Sequence, residues 1–598
     1  MARRLTRSEV PVEQTWRLTD LFATQADWEQ ELEAIGEAVQ TVAQYRGTLA
    51  EGAGSLLACL TAYEQLRGRM VRASTYASLR FSADGSDPEN QAALARSQAA
   101  LAQAGAALAF LESEILALPE GTVERYLADE PGLAPFRRWL EQVLARRPHA
   151  LHPETEAALA ALGEVTGAPY LIYNRATAGD MTFDPIEVDG RQEPVSFSTY
   201  EERLERDADV AVRRAAFRSF SAGLRKYENT FAATFATEVK KNVVLARLRG
   251  YESATHMLLQ PQEVTVDVYN NILDVIQAEV APHMRRYARL RRRVLGLDRL
   301  LYCDIEAPLD PGYNPPVTFA EASQIILDGL AVLGPEYLEI VRSALTDRWV
   351  DWADNVGKST GAFCSSPYGA HPYILISWAG TMRNVLVLAH ELGHAGHLTL
   401  AQRNQRLLNA RPSTFFIEAP STMNELLVGQ HILAGTNDPR MKRWVIMQFL
   451  STYHHNFVRH LLEGELQRRI YALAEQGTPI TAVTLSETKG AILNEFWGGE
   501  VEIDDDAKLT WMRQPHYYMG LYPYTYSAGL TVSTAVAQAI RAEGQPAVDR
   551  WLAVLKAGGT MGPLQLAEAA GVNLATPEAV RSAVAYVGSL VDELEKSF

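Results

Sequence analysis

Two histidines and a glutamate within five residues form the pattern in this chain that is best suited to chemistry. The sequence H-E-L-G-H runs from His390 to His394, with Glu391 directly after the first histidine. An apolar run precedes it, which predicts a buried helix. Residues four apart project from one side of a helix, so the two imidazoles could bind one Zn²⁺, with Glu391 as general base for a water molecule. A histidine pair packed in the core without a metal is the alternative.

Gly393 lies inside this predicted helix, where glycine costs about 1 kcal/mol relative to alanine. The usual reason for such a glycine is a neighbour that approaches the backbone closely. The sequence therefore predicts close packing against this turn of the helix.

A zinc site with two histidines needs a third protein ligand and an open position. A third histidine six residues further on is excluded, because Leu400 stands there. A following helix with Pro420 in its first turn offers carboxylates instead, and we expect Glu418 to be the ligand. Glu425, two turns later, is either a hydrogen-bond acceptor for a ligand histidine or a solvated glutamate. His397 either supports the site in the same way or is a core residue.

The apolar segment 372–378 is short and β-branched, which predicts a single buried or edge strand in a mostly helical chain. An exposed edge can pair with an extended peptide regardless of its side chains. Tyr373, Ile374 and Leu375 are therefore candidate substrate-binding residues. A strand within a small structural sheet is the alternative.

The two motifs resemble those of the thimet oligopeptidase superfamily of zinc peptidases, and most closely its bacterial oligoendopeptidase F branch. Residues 390–397 match H-E-x-G-H-x-x-H, and residues 418–421 match E-x-P-S. Further similar segments lie at 16–22, 361–363, 368–375 and 555–560, so the resemblance covers nearly the whole chain. It implies that His390, His394 and Glu418 bind zinc and that Glu391 is the general base.

A tyrosine-rich segment, residues 515–526, also resembles the superfamily, in which a histidine and several tyrosines face the zinc. The resemblance implies that His516 and one tyrosine stabilise the oxyanion of the tetrahedral intermediate. The order of preference for the tyrosine is Tyr526, Tyr524 and then Tyr522, and Tyr522 is also a candidate substrate contact. Aromatic residues at this density could equally form core.

Bulk composition excludes several classes of protein. The net charge of −16 disfavours nucleic acid and anionic membranes as partners. No run of 18 apolar residues or signal-peptide pattern is found. Three cysteines far apart in the sequence indicate a reducing compartment rather than a disulfide framework. We therefore expect a cytoplasmic protein, and the sequence gives no oligomeric state.

Helical periodicity dominates the chain, and long helices are predicted at residues 28–45, 56–79, 91–116 and 443–476. Asp189-Gly190 between alternating residues predicts a hairpin, and we place a boundary near residue 200. The expected domains are an N-terminal helical lobe, 1–200, and a catalytic domain, 201–598. The resulting prediction is a mainly α, bilobed fold with a small β element beside the zinc helix. The resemblance implies a deep channel between the lobes.

The activity implied is zinc-dependent hydrolysis of internal peptide bonds in short, unfolded oligopeptides. Three alternatives remain: a zinc exopeptidase of the same fold, a non-catalytic peptide-binding protein, and a zinc hydrolase of non-peptide amides.

Overall fold

The predicted mainly α architecture is confirmed. The computed structural model describes residues 4–598, and residues 1–3, at the start of the basic N-terminus, lie outside the described range. Helices account for 71% of the chain and strands for 3%, which leaves the β structure to two small sheets.

Twenty-five α-helices are described within residues 4–598. The first seven are α1 Gln25–Ala43, α2 Ala53–Ala83, α3 Pro88–Leu108, α4 Phe110–Ala117, α5 Thr122–Asp129, α6 Arg137–Leu144 and α7 Pro153–Ala161. The next eight are α8 Gly163–Arg175, α9 Phe197–Glu202, α10 Val210–Arg225, α11 Glu228–Leu248, α12 Ala254–Leu259, α13 Val266–Val294, α14 Phe319–Gly329 and α15 Pro335–Thr346. The last ten are α16 Met382–Asn404, α17 Leu407–Ala410, α18 Glu418–Gly435, α19 Pro439–His454, α20 His460–Glu475, α21 Ala482–Trp497, α22 Pro523–Glu543, α23 Gln545–Ala557, α24 Pro563–Ala569 and α25 Glu578–Ser597.

Buried apolar side chains form two large clusters. The first runs from Trp16 to Val143 along the chain and also includes Tyr373 and Leu375. The second begins at Tyr173 and continues into α25. The predicted hairpin exists as β1 (Ile186–Val188) paired antiparallel with β2 (Arg191–Glu193). Because Ile186 packs into the second cluster, the hairpin belongs with the larger body of the protein.

The second sheet has three strands in the order β3-β5-β4, comprising β3 (Val350–Asp351), β4 (Phe363–Ser365) and β5 (Tyr373–Leu375). The predicted strand is therefore present, but it is the central one. It pairs parallel with β3 and antiparallel with β4, so both of its edges are occupied. The expectation that it binds substrate through a free edge is wrong. The N-terminal segment lies next to β3: the N–H of Trp352, directly after β3, donates to the Gln14 carbonyl.

The long helix predicted over 443–476 is interrupted. Helix α19 ends at His454, a π-helical turn occupies His455–Arg459, and α20 begins at His460. A π-turn inserts an extra residue and rotates the following helix, which changes the directions of nearby side chains. His455, in the π-turn, faces the cavity, and His460, at the start of α20, is buried.

Helix α16 begins with a capping box, in which the backbone N–H and hydroxyl of Thr381 donate to Asn384 Oδ1. Helix α18 packs on α16 on one side and on α22 on the other. Gly393 permits the first contact, since a Cβ there would lie 2.4 Å from the Pro420 carbonyl oxygen. Gly529 permits the second, with a Cβ position 3.0 Å from the Glu418 Cβ. The close neighbour predicted for Gly393 is thus confirmed as the first turn of α18.

One stretch, Pro88–Ala117, is long and apolar enough to span a membrane by length and composition alone, with a mean hydropathy of 1.3 in its most apolar window. It comprises α3 and α4, and α3 packs on α1 and α2. A single such stretch is weak evidence for a membrane span.

Candidate active site

The three predicted metal ligands converge. His390 and His394 lie one turn apart on α16, and Glu418 is the first residue of α18. The Nε2 atom of each histidine is 3.5 Å from Glu418 Oε2, and the three ligand atoms all lie within 4.8 Å of one another. Two imidazoles and one carboxylate at these separations fit a divalent ion of the size of zinc and leave a coordination position open.

The protonation states of Glu418 and His394 suit metal binding. Burial opposes ionisation of Glu418, but the two histidines and the Ser421 hydroxyl outweigh it and lower its pKa to about 2. The Ser421 hydroxyl donates to Glu418 Oε2 at 3.0 Å. Burial lowers the pKa of His394 to about 4, so this imidazole is neutral near pH 7 with a lone pair available. For His390, burial lowers the pKa, but the hydrogen bonds with Glu418 and Glu425 outweigh it and raise the pKa well above its usual value, so metal binding must release a proton from this imidazole.

Glu425 orients one ligand. Its Oε1 atom lies 2.6 Å from His390 Nδ1, and the Thr452 hydroxyl donates to its Oε2 at 3.0 Å. The carboxylate can only accept, so Nδ1 of His390 carries the proton and Nε2 faces Glu418. This contact matches the supporting role predicted for Glu425 and disfavours the solvated alternative.

His397 has no such contact. The side chain is fully buried, and neither ring nitrogen has a hydrogen-bond partner within residues 4–598. Its ring packs near Phe416, with a centroid separation of 6.1 Å. The structure therefore places His397 in the core. No described contact supports the alternative that it orients a metal ligand.

Glu391 lies on the wall of the same cavity as the three ligands. Burial raises the pKa of its carboxyl to about 7, against the opposing effect of His390. A carboxyl of this pKa can both accept and release a proton near neutral pH, as a general base that later acts as an acid requires.

Tyr522 and Tyr526 lie across the cavity from α16, but Tyr524 does not. Tyr524 is fully buried, and its hydroxyl donates to Gln262 Oε1 at 2.8 Å. The reason is helical geometry: residues 522 and 526 are four apart at the start of α22, while residue 524 faces the other way. Tyr524 as an oxyanion donor is therefore a wrong assignment.

His516 packs against both cavity tyrosines. Its ring stacks on Tyr522 with centroids 5.0 Å apart, and its Nε2 lies 3.5 Å from the Tyr526 hydroxyl oxygen. Burial lowers the pKa of His516 to about 4, so the ring is neutral near pH 7. His516 Nδ1 lies 2.6 Å from Gln514 Oε1, which only accepts, so Nδ1 carries the proton. Its Nε2 is then an acceptor, not the oxyanion donor expected from the resemblance.

A chain of side chains continues from His516 through the buried Gln514 and His460 to His455 on the cavity wall, and sequence reasoning missed it. Gln514 Nε2 lies 3.2 Å from His460 Nδ1, and His460 Nε2 lies 3.0 Å from His455 Nε2. The His460 ring also stacks on Tyr526, with centroids 4.2 Å apart and planes at 15°. Only the clustering of histidines near residue 455 could have signalled this chain, because the π-turn that brings them together has no sequence signature.

The cavity has a volume of about 700 Å³, within the range of ligand-binding pockets. Its walls are α16, the first turns of α18, the π-turn, the Tyr522 and Tyr526 side chains, and β4. Tyr373, Ile374 and Leu375 are fully buried and absent from these walls, while Phe363 and Cys364 of β4 are present. In the described sheet β4 pairs only with β5, so its other edge is the one that a peptide could join.

Comparisons with known proteins agree with this geometry. A family model described as peptidase family M3 matches residues 203–586, and one described as oligopeptidase F matches residues 114–183. Oligopeptidase PepF of Bacillus subtilis is 32% identical to this chain over 99% of the chain and 88% of the relative. Group B oligopeptidase PepB of Streptococcus agalactiae is 27% identical over 98% of both.

Solved structures show the same fold. A crystal structure of oligoendopeptidase-F from Enterococcus faecium superposes with a TM-score of 0.76 at 25% identity, covering 96% of this chain and 99% of that one. A protein from Chlamydophila abortus superposes with a TM-score of 0.88 at 25% identity over the full length of both chains.

Proposed function

Because the chain belongs to peptidase family M3, as a metallopeptidase acting on oligopeptides, we propose that it is a zinc-dependent endopeptidase that cleaves internal bonds of short oligopeptides. The observation that carries the proposal is the convergence of His390, His394 and Glu418 beside Glu391 on one cavity wall. The intact ligand set and base disfavour a non-catalytic peptide-binding protein.

His390, His394 and Glu418 would hold the metal, and a ligand set of two histidines and one glutamate favours zinc. When bound, zinc supplies a Lewis acid for the scissile carbonyl and lowers the pKa of a water molecule. Glu425 keeps the Nε2 lone pair of His390 directed at the site, and Ser421 holds the Glu418 carboxylate through Oε2.

Glu391 moves the proton. Its carboxylate takes a proton from the water that attacks the carbonyl carbon, and it later passes that proton to the leaving amine nitrogen as the C–N bond breaks. Burial favours both steps, because it raises the pKa of the carboxyl to about 7 and keeps bulk water away from the transferred proton.

Tyr526 is our candidate for the oxyanion donor. It faces the cavity, and a phenol hydroxyl carries a proton throughout the neutral pH range. His516 cannot donate through Nε2 while Nδ1 is bonded to Gln514, so its role is to accept from the Tyr526 hydroxyl and orient it. When the oxyanion forms, the hydroxyl turns from His516 to the developing charge.

The free edge of β4 is our candidate for the main-chain binding site. Main-chain pairing is tolerant of sequence, which suits a peptidase of broad specificity. A cavity of about 700 Å³ holds several residues of an extended peptide and excludes a folded domain. Short unfolded oligopeptides are therefore the proposed substrates.

We place the protein in the cytoplasm, on the basis of its cysteines. Cys59, Cys303 and Cys364 are all unpaired, as a reducing compartment favours.

Hydrolysis of an internally quenched fluorogenic peptide, blocked at both ends, tests the proposal. Cleavage by the purified protein should be lost on treatment with a chelator and restored by stoichiometric zinc. Blocked ends exclude cleavage by an exopeptidase that needs a free terminus. Absence of cleavage by a protein shown to contain one zinc per chain would contradict the endopeptidase assignment.

A further inference from the structure

Arg383 is a cation on the cavity wall without a hydrogen-bond or ion-pair partner among the described residues. Arg383, in the first turn of the metal helix α16, lines the cavity, and its side chain is exposed there. It has no hydrogen bond or ion pair with any residue in the described range 4–598. Many unpaired arginines have no specific role, so a binding role for Arg383 must be argued from the charges around it.

The nearby carboxylates are already occupied. Glu306 pairs with Arg206 at 3.7 Å and with His454 Nδ1 at 3.0 Å. Glu425 accepts from His390 and Thr452, as described above. No carboxylate in the described chain lies within ion-pair distance of the Arg383 guanidinium, although the charges of Glu306 and Glu425 act on it from farther away.

The electrostatic consequence distinguishes Arg383 from the other described arginines. Burial, and next the charge of Arg206, lower the pKa of its guanidinium. Every other described arginine whose pKa is shifted has it raised by a carboxylate. The Arg383 guanidinium thus faces the cavity, where the surrounding walls and Arg206 disfavour its charge and no described carboxylate pairs with it, which favours an anionic ligand.

The helix fixes where such an anion would lie. Arg383 precedes His390 by seven residues, about two turns, so both project into the cavity from the same face. Their separation along the axis is about 10 Å at about 1.5 Å per residue. Both side chains lean towards the N-terminus, and the longer arginine reaches farther in that direction, which increases the separation of the two charged ends. An extended peptide advances about 3.3 Å per residue, so the anion lies about three to five residues from the scissile bond.

We propose that Arg383 forms a subsite for a carboxylate group of the substrate, about three to five residues from the cleaved bond. This inference rests on the proposed function, because it assigns the cavity to a peptide. Two sources supply the same chemistry: the free C-terminus of a short peptide, or an acidic side chain within a longer one. If the anion is a C-terminal carboxylate, Arg383 would fix the number of residues between the cleaved bond and the C-terminus of the substrate.

Two sets of peptides with one common cleavage site distinguish these sources. The first set ends in a free acid or an amide, three, four or five residues after the cleaved bond. The second set has blocked ends and carries Glu or Gln at the same distances on either side. A charge-assisted hydrogen bond predicts kcat/KM ratios of about 10 to 100 for acid over amide, or for Glu over Gln, in at least one set.

Arg383→Gln should bring those ratios close to one and leave the neutral peptides cleaved at their original rate. Arg383→Lys should keep part of the preference, since it retains the charge without the bidentate geometry. Arg411→Gln is the matched control, because Arg411 is another cavity arginine without an ion pair in the described residues but lies on the His394 side. It should leave the ratios unchanged.

Binding measurements separate this inference from the proposed function. In a Glu391→Gln background, zinc-loaded protein should bind the charged peptides more tightly than the neutral ones by fluorescence anisotropy, and the added Arg383→Gln change should abolish the difference. This result would support the subsite even if the wild-type protein cleaved no blocked peptide. Equal affinity for charged and neutral peptides, a preference that survives Arg383→Gln, or an equal loss in Arg411→Gln would each overturn the proposal.

Discussion

The backbone of Ser421 rests directly on Gly393: a Cβ at position 393 would lie 2.6 Å from the Ser421 Cα. Real Cβ atoms do not approach a backbone atom this closely, so α18 can only occupy its position because the metal helix lacks a side chain there. Glu418 is three residues from Ser421 at the start of the same helix. The absent side chain in one half of the metal site therefore sets the position of the ligand in the other half.

Gly393→Ala should weaken zinc binding by tenfold or more while most of the helical content is retained. The methyl group displaces the first turn of α18 and with it the Glu418 carboxylate. The measurement is a competition titration against a chelating dye. Gly36→Ala on α1 is the control, because nothing lies within 4 Å of a Cβ there and alanine favours the helix by about 1 kcal/mol. Unchanged zinc affinity in Gly393→Ala would contradict the packing argument.

Glu391→Gln should lower kcat by about 10²- to 10⁴-fold, the range for loss of a general base. Zinc content, measured by atomic absorption, should stay at one per chain, since Glu391 is not a ligand. The glutamine has nearly the same shape, so the circular dichroism spectrum serves as the folding control. Substantial turnover in the zinc-replete variant would remove Glu391 from the mechanism.

Tyr526→Phe should lower kcat by about 10²-fold, with zinc retained, because the variant lacks the hydroxyl that faces the developing charge. Tyr524→Phe is the matched control on the opposite face of α22 and should keep kcat close to the wild-type value. Tyr522→Phe tests the neighbouring hydroxyl and should alter KM more than kcat. A loss confined to Tyr522→Phe would transfer the donor role to Tyr522.

Gln514→Leu should lower kcat by about tenfold without changing zinc affinity, because His516 loses the acceptor that fixes its proton on Nδ1. Gln514→Glu retains an acceptor at this place and should keep the proton on Nδ1. Neutron diffraction of the zinc-loaded wild type observes the same feature directly. A deuteron on Nε2 of His516 rather than Nδ1 would show that the hydrogen-bond chain runs in the opposite direction.

Local spacing allowed the metal site to be predicted, because two histidines four residues apart on a helix project from the same side. The choice among the tyrosines needed the start of α22, and Pro523 at its first position was the available signal. With that start, Tyr522 and Tyr526 fall on one face and Tyr524 on the other. The hydrogen-bond chain behind His516 was beyond prediction, since it depends on a π-turn and on tertiary packing between segments more than fifty residues apart.

The assignment of the strand failed for a reason visible in the sequence. The run from Tyr373 to Ile376 is apolar at every position, and such a run indicates burial on both faces. An edge strand exposed to a peptide would alternate. The edge strand is β4 instead, whose three residues are all half-buried, and three residues are too few to be predicted from periodicity.

The alternating burial of β5 has a consequence for how the protein unfolds. Tyr373 and Leu375 pack in the first apolar cluster, while Ile374 and Ile376 pack in the second. Neither cluster can melt without exposing one face of a strand that the other still holds. The two halves should therefore lose their structure in a single calorimetric transition despite their separate cores, and the peptide-binding edge of β4 should persist until that transition.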